Sequence, residues 1–248
     1  MQNDTLFIFE KGFNYSQDGP GNRLVYHLAG CNMFCPWCAN PEGLSQNEKS
    51  TQISVEALVK EAVSSKMIFI DGGGVTFTGG EATLQKEALL NAVKLLKENG
   101  ISTCIETNAS LPDCDSLFAE IDYMIADFKS PNAALLKAVT GADLEAIKNN
   151  LLFRAKTGKP LLVRVPLIHF FNCGKENAVA FAEYFSFLQK ESNNPNLCFE
   201  ILTYHEFGKE KYEKLNLPYT VTDGFVGKED IKALADELKK RSLKIINT

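Results

Sequence analysis

"RLVYHLAGCNMFCPWC", residues 23–38, runs from an apolar, β-rich stretch straight into three cysteines. Leu24, Val25, Tyr26 and Leu28 give the first part the near-continuous apolar character of a strand buried on both faces. Cys31, Cys35 and Cys38 follow it at spacings of four and three. A buried strand that ends in a loop loaded with reactive side chains points to an α/β protein, in which function gathers at the C-terminal ends of the strands.

The rest of the chain repeats this unit. After the first strand at 23–30, further strands are predicted over 67–80, 101–108, 123–130, 160–168 and 197–205. Helices are predicted over 55–66, N-capped by Ser54, and over 82–100, ending at an αL Gly100. Others are predicted over 131–140, 143–156, 176–192 and 228–242. Strands each followed by helical sequence imply a parallel sheet with right-handed crossovers, either open or a partial barrel. The unusual residues fall at the strand ends. Gly79, Gly80 and Glu81 follow the second strand, and Glu106, Thr107 and Asn108 the third. Asp127 and Lys129 close the fourth, Arg164 lies in the fifth and His205 ends the sixth. With no linker or shift in composition, the expectation is one domain over residues 1–248.

Composition narrows the function. The 248 residues are 45% hydrophobic and 23% charged, which suits a globular protein with a sizeable core. A net charge of −5 argues against a nucleic-acid surface. No apolar run reaches the roughly 20 residues of a membrane span. The opening "MQNDTLFIFEKGF" lacks the basic and apolar regions of a secretion signal, so a cytoplasmic location with reduced thiols is expected. Cys104, Cys114, Cys173 and Cys198 are scattered and read as small buried apolar residues.

Three readings compete for the cysteine loop. Structural zinc wants four ligands, usually as two pairs; here the second pair is missing and His27 lies inside a strand. A Cys35–Cys38 redox pair wants a helix N-terminus to lower its thiol pKa, but "ANPEGLSQNEKS" is loop sequence, and Cys31 is left unexplained. A [4Fe–4S] cluster on three thiolates uses all three and leaves one iron open to another ligand.

At this point the chain resembles a known family. Cys31-xxx-Cys35-xx-Cys38 resembles the cluster signature of the radical S-adenosylmethionine (SAM) superfamily. Within it, the chain is similar to glycyl-radical-enzyme activating enzymes of the pyruvate formate-lyase activating type. "DGPGNR" (18–23), "AGCNMFCPWCANPE" (29–42), "GGGVTFTGGEATLQ" (72–85), "DFK" (127–129) and "TYHEFGKEKYE" (203–213) carry the likeness in order.

The resemblance implies a partial (β/α)6 barrel of parallel strands, one [4Fe–4S] cluster on Cys31, Cys35 and Cys38, and SAM bound at the open iron. It implies reductive cleavage of SAM and abstraction of a glycine α-hydrogen on a partner glycyl radical enzyme. Gly79, Gly80 and Glu81 would bind SAM, the glycines by close backbone approach and Glu81 by accepting from its ammonium; the rival role for Glu81 is a helix-start carboxylate. Asp127 and Lys129, alternating with Phe128, would face the SAM ribose and carboxylate, or each other. His205 would orient SAM, and Trp37 would lie by the adenine or simply pack its loop. Glu106 stands where relatives have Asp in "Asp-Thr-Asn-Gly", a carboxylate that helps hold a monovalent cation; "ETNA" departs from that pattern at Glu106 and Ala109. Asp18 would grip the partner's glycine loop, with a plain turn as its alternative. Arg164 would meet SAM or substrate, with a structural ion pair as its rival. His27 and His169 read as structural.

Only 40 residues separate Cys38 from Gly79 and none is cysteine, so no ferredoxin-like insert is expected. Electrons would come from a flavodoxin or ferredoxin, and the enzyme would be a monomer. The nearest rival is a small-molecule radical SAM enzyme resembling 7-carboxy-7-deazaguanine synthase, which fits the "DGPG" opening and the "TYHEFGKEKYE" block poorly.

Overall fold

The structure is a computed structural model that describes residues 4–47 and 50–247. Contacts divide it into two units. The first comprises Met1–Asn32, Glu42–Thr107 and Asp113–Ile125; the second comprises Met33–Pro41, Asn108–Pro112 and Ala126–Thr248.

The first unit holds β1 (Thr5–Tyr15), β2 (Asn22–Leu28), β3 (Thr51–Ser54), α1 (Val55–Ser64), β4 (Gly74–Gly79), α2 (Lys86–Glu98), β5 (Ser102–Thr107), α3 (Asp115–Glu120) and the start of β6 (Tyr123–Asp127). Its strand order is β3-β1-β2-β4-β5-β6. β2, β4 and β5 are parallel neighbours, with Val25 opposite Thr76 and Thr76 opposite Cys104. Leu24, Tyr26, Leu28, Val75, Phe77 and Ile105 are buried, as the unbroken apolar runs require. Ser54 caps α1 as expected, its hydroxyl accepting from the Ala57 N–H at 3.1 Å, and Gly100 has φ +64° beyond α2.

Two strands were not legible. β1 buries only Leu6 and Ile8 by alternation, and its second half is exposed. β3 is four mostly exposed residues. Both pair antiparallel, β1 with β2 and with β3. The strand expected over 67–80 shrinks to Gly74–Gly79. Met67, Ile68 and Ile70 are apolar but exposed, and Asp71 and Gly72 turn the chain at φ +54° and +82°. The helix expected from 82 begins as a 3-10 turn, Ala82–Gln85. Gln85 is pinned there: its amide accepts from the Phe7 N–H at 2.8 Å and donates to the carbonyls of Phe7 at 2.9 Å and Ala29 at 3.0 Å.

The second unit holds the end of β6, α4 (Ala133–Thr140), α5 (Leu144–Lys156), β7 (Leu161–Leu167), α6 (His169–Asn172), α7 (Lys175–Ser192), β8 (Leu197–Thr203), α8 (Lys209–Lys214) and α9 (Lys228–Lys240). Its strand order is β6-β7-β8, with β7 and β8 parallel. Phe128 turns away from Asp127 and Lys129 and packs on α7, its ring 4.7 Å from Tyr184 and 5.4 Å from Phe185. Phe185 in turn stacks on Phe199 at 4.5 Å.

The protein is thus mixed α/β with a mostly parallel sheet that does not close, matching the expected class, with eight strands among the described residues rather than six. No helix among those residues is long and apolar enough to cross a membrane.

Candidate functional site

In the first unit, β2 delivers Cys31 and β4 delivers the glycine pair. The Gly30 N–H donates to the Gly43 carbonyl at 2.8 Å and the Cys31 N–H to Leu44 at 3.1 Å. Gly80 and Glu81 lock onto the same segment, donating to the carbonyls of Leu28 at 2.9 Å and Gly30 at 2.7 Å. A Cβ on Gly80 would stand 2.1 Å from the Gly30 oxygen and 2.5 Å from that of Gly43; one on Gly79, at φ +114°, would stand 2.4 Å from the Leu28 nitrogen. The backbone these glycines approach is the chain's own, at the base of the cysteine loop. Gly80→Ala is therefore expected to push Gly30 and Gly43 apart, lowering stability by about 1–3 kcal/mol in a urea melt. A parent-like midpoint would show that the contact is not tight.

Glu81 is fully buried. Its Oε1 accepts from the Thr83 N–H at 3.0 Å, the Thr83 hydroxyl, and the Thr107 hydroxyl at 2.6 Å. The helix-start role is thus real, and Thr107 ties it to the end of β5. Thr83 reads as an ordinary turn residue in the sequence, and Thr107, though one of the unusual strand-end residues, carries no sign there of a link to Glu81. Glu81→Gln keeps an acceptor for these donors, whereas Glu81→Ala strands them and is expected to cost about 1–3 kcal/mol more in thermal unfolding. Equal melting of the two variants would contradict the clamp.

One layer along β4 and β5, the Thr78 hydroxyl donates to Glu106 Oε2 at 2.8 Å. At the strand N-terminal end, the Asp18 carbonyl accepts from the Thr76 hydroxyl at 2.7 Å and its carboxylate is bonded by Asn14. His27 lies 5.6 Å from the Phe9 ring.

In the second unit, Cys35 and Cys38 are joined by a turn, the Cys38 N–H donating to the Cys35 carbonyl at 3.1 Å. Trp37 is buried against Phe171 at 4.8 Å and Phe170 at 6.0 Å, as a packed loop aromatic. Gly208 backs the turn, since a Cβ there would stand 2.2 Å from the Cys38 oxygen. Lys211 Nζ donates to Asn40 Oδ1 at 2.9 Å.

Asp127 and Lys129 meet each other, Nζ to Oδ2 at 2.6 Å. Asn172 steadies that strand end, donating to the carbonyls of Lys129 and Pro166, both at 2.7 Å. Arg164 forms an ion pair with Glu200, its register partner on β8, Nε to Oε2 at 2.7 Å with both side chains largely buried. Its structural alternative is therefore what the fold displays. His205 is exposed on one side, but Phe207 stacks on its ring at 4.1 Å, and local burial lowers its pKa, favouring the neutral ring. His169 pairs with Asp223 at 2.9 Å. Ala109, where the resembled pattern has Gly, keeps a left-handed φ of +54°, held by Asn150 donating to the carbonyls of Ala109 and Leu111.

The four scattered cysteines behave as expected of apolar filler. Cys104, Cys114 and Cys198 are buried, and Cys173 is half-buried. Burial pushes Cys114 up to about 11 and Cys173 up to about 12, so both stay thiols. Cys31, Cys35 and Cys38 are instead partly exposed. Among the described residues, no three His, Cys, Asp or Glu are grouped for a single metal ion.

The family model for the radical SAM superfamily matches residues 25–179. The chain belongs to that superfamily. This radical SAM enzyme is 31% identical over 242 residues to the pyruvate formate-lyase-activating enzyme of Streptococcus mutans serotype c, covering 94% of this chain and 88% of the relative. It is 32% identical over 226 residues to the enzyme of that name from Clostridium pasteurianum, covering 90% of each. Among solved structures, Streptococcus suis SuiB bound to precursor peptide SuiA superposes with a TM-score of 0.66 at 15% identity, over 89% of this chain and 46% of that one; the likeness is one of fold.

Radical SAM membership implies a [4Fe–4S] cluster and SAM. The residues fit: Cys31, Cys35 and Cys38 are partly exposed, and the backbone beside them is too tightly cradled, at Gly80 and Gly208, to admit a Cβ.

Proposed function

We propose that this radical SAM enzyme installs a glycyl radical on a partner protein, pyruvate formate-lyase or a relative of it. The observation that carries the proposal is the similarity to pyruvate formate-lyase-activating enzymes over 94% of the chain, well beyond the matched family region. When bound, the cluster and SAM supply one-electron cleavage of the sulfonium C5′–S bond and the radical that takes the glycine α-hydrogen.

The chain's own residues divide the remaining work. Cys31, Cys35 and Cys38 hold the cluster as thiolates. Glu81, already clamped by Thr83 and Thr107, offers a fixed carboxylate to the SAM ammonium, and Gly79 and Gly80 set its height. The Asp127–Lys129 pair presents both signs of charge to the SAM ribose and carboxylate, and neutral His205 offers a ring nitrogen. Trp37 supports the cluster loop. Asp18, its backbone held by Thr76, meets the incoming glycine segment. Arg164, committed to Glu200, keeps β7 and β8 in register rather than reaching outward. Glu106, held by Thr78, is the carboxylate for a monovalent cation, set one methylene farther out than in the Asp pattern. One domain without a ferredoxin-like insert leaves reduction to an external flavodoxin or ferredoxin. The enzyme acts as a cytoplasmic monomer.

Anaerobic incubation with reductant, SAM and candidate glycyl radical enzymes, followed by electron paramagnetic resonance, tests this. The expected result is a glycyl doublet on one candidate with 5′-deoxyadenosine formed alongside it. No doublet on any candidate, with 5′-deoxyadenosine made only when a small heterocycle is added, contradicts it.

A further inference from the structure

Helix α8 presents one face to the cysteine turn. Gly208, Lys211 and Tyr212 stand at i, i+3 and i+4, the spacing of a single helix face. Gly208 has φ −77° and ψ −21°, a conformation any residue adopts, so glycine is required there for space alone. The space is that taken by Cys38: a Cβ would stand 2.2 Å from its oxygen, 3.2 Å from its carbonyl carbon and 3.1 Å from the Ala39 Cα. Lys211 Nζ reaches Asn40 Oδ1 at 2.9 Å, two residues beyond the cysteine. Tyr212 is buried, its ring edge-on to Tyr219 at 5.1 Å. Its phenol oxygen interacts with the Cys38 backbone N–H, which also donates to the Cys35 carbonyl at 3.1 Å.

We propose that Gly208 and Tyr212 are positioning residues that fix the backbone of Cys38, and through the turn that of Cys35, so that both thiolates are presented to the cluster in one geometry. The proposal rests on the cluster reading above. The turn leans on neighbouring elements: the Phe34 N–H donates to the Thr140 carbonyl at 3.2 Å, and Gly208 and Lys211 meet Cys38 and Asn40. Ligand geometry must then be imposed by what the loop leans on, and outer partners of this kind commonly alter metal affinity by about 10- to 100-fold when lost. Gly208 sets how close the helix comes. Tyr212 places an oxygen against the Cys38 N–H, and Lys211 holds the exit of the turn.

The test uses full-length protein reconstituted anaerobically with iron and sulfide. Iron release to excess ferrous chelator is followed for the parent, Gly208→Ala and Tyr212→Phe, beside thermal unfolding of the three cluster-free proteins. Tyr212→Phe keeps the ring and its packing and removes only the oxygen. The expected result is iron loss faster by about 10-fold or more in both variants, within the range for outer-partner loss, with cluster-free Tyr212→Phe melting as the parent does. Parent-like release from Tyr212→Phe overturns the proposal, whether or not Gly208→Ala folds. So does a lowered melting temperature with unchanged release, which is the signature of a merely structural role. A parent that takes up no iron overturns the cluster reading itself, and the proposal with it.

Discussion

Cys35→Ala is expected to abolish cluster assembly: iron and acid-labile sulfide should fall from about four of each per chain to near zero after anaerobic reconstitution. Two remaining thiolates cannot hold four irons against chelation by buffer. No SAM cleavage should then be detectable. The fold should survive, because Cys35 is partly exposed in a loop and contributes little to the core. Cys114→Ala is the matching control. Cys114 is buried, with its pKa pushed up to about 11, and so is no thiolate. Its removal should leave iron content unchanged and cost only a small cavity. Full iron and activity in Cys35→Ala would show that the ligands lie elsewhere.

Arg23→Met is expected to give the largest loss of stability of any single change considered. The guanidinium is fully buried and reaches no carboxylate at ion-pairing distance among the described contacts; five acceptors surround it instead. Nε donates to the Thr76 hydroxyl at 2.6 Å. Nη1 donates to the carbonyls of Pro20 at 3.1 Å and Gly72 at 3.3 Å, and Nη2 to those of Val75 at 2.8 Å and Ser102 at 3.1 Å. One side chain thus ties the turn before β2, the turn before β4 and the start of β5. Methionine fills the volume but leaves these acceptors without donors, at a cost of about 3–5 kcal/mol, a large part of the ~5–15 kcal/mol that holds a domain folded. Urea unfolding measures it, and Arg23→Lys should recover only part, since an ammonium carries three donors and no fork. A loss under ~0.5 kcal/mol, the size of an ordinary surface change, would mean that this hub is not what anchors the turns. Thr76, bonded to both Arg23 and the Asp18 carbonyl, carries the consequence to function: the loop proposed to meet the partner should loosen with it.

The sequence revealed what is written locally. Strand and helix periods, the Ser54 cap and the Gly100 stop each depend on neighbours within a turn or two, and outside residues 67–73 and the 3-10 turn Ala82–Gln85 they fall where expected. The three cysteines are likewise visible from spacing, and Glu81 from the resemblance of the segment that carries it. What was hidden depends on register over long separations. Arg164 and Glu200 meet because β7 and β8 align them, 36 residues apart. Thr107 reaches Glu81 across 26 residues, and Arg23 reaches Ser102 across 79. The same limit hid what Gly79 and Gly80 meet on the chain itself: the Leu28 backbone beside the one, and those of Gly30 and Gly43 beside the other. Residues 67–70 failed for a different reason. Apolar composition alone implied burial, but Asp71 and Gly72 turn the chain before β4, and the apolar side chains stay at the surface.

Electron paramagnetic resonance of the anaerobically reconstituted, dithionite-reduced protein, recorded before and after SAM is added, bears most directly on a cluster held by only three protein thiolates. An open iron that SAM occupies predicts a reduced-cluster signal whose shape and g-values change on addition. A signal indifferent to saturating SAM, or protein that carries one zinc per chain and no iron, would contradict it.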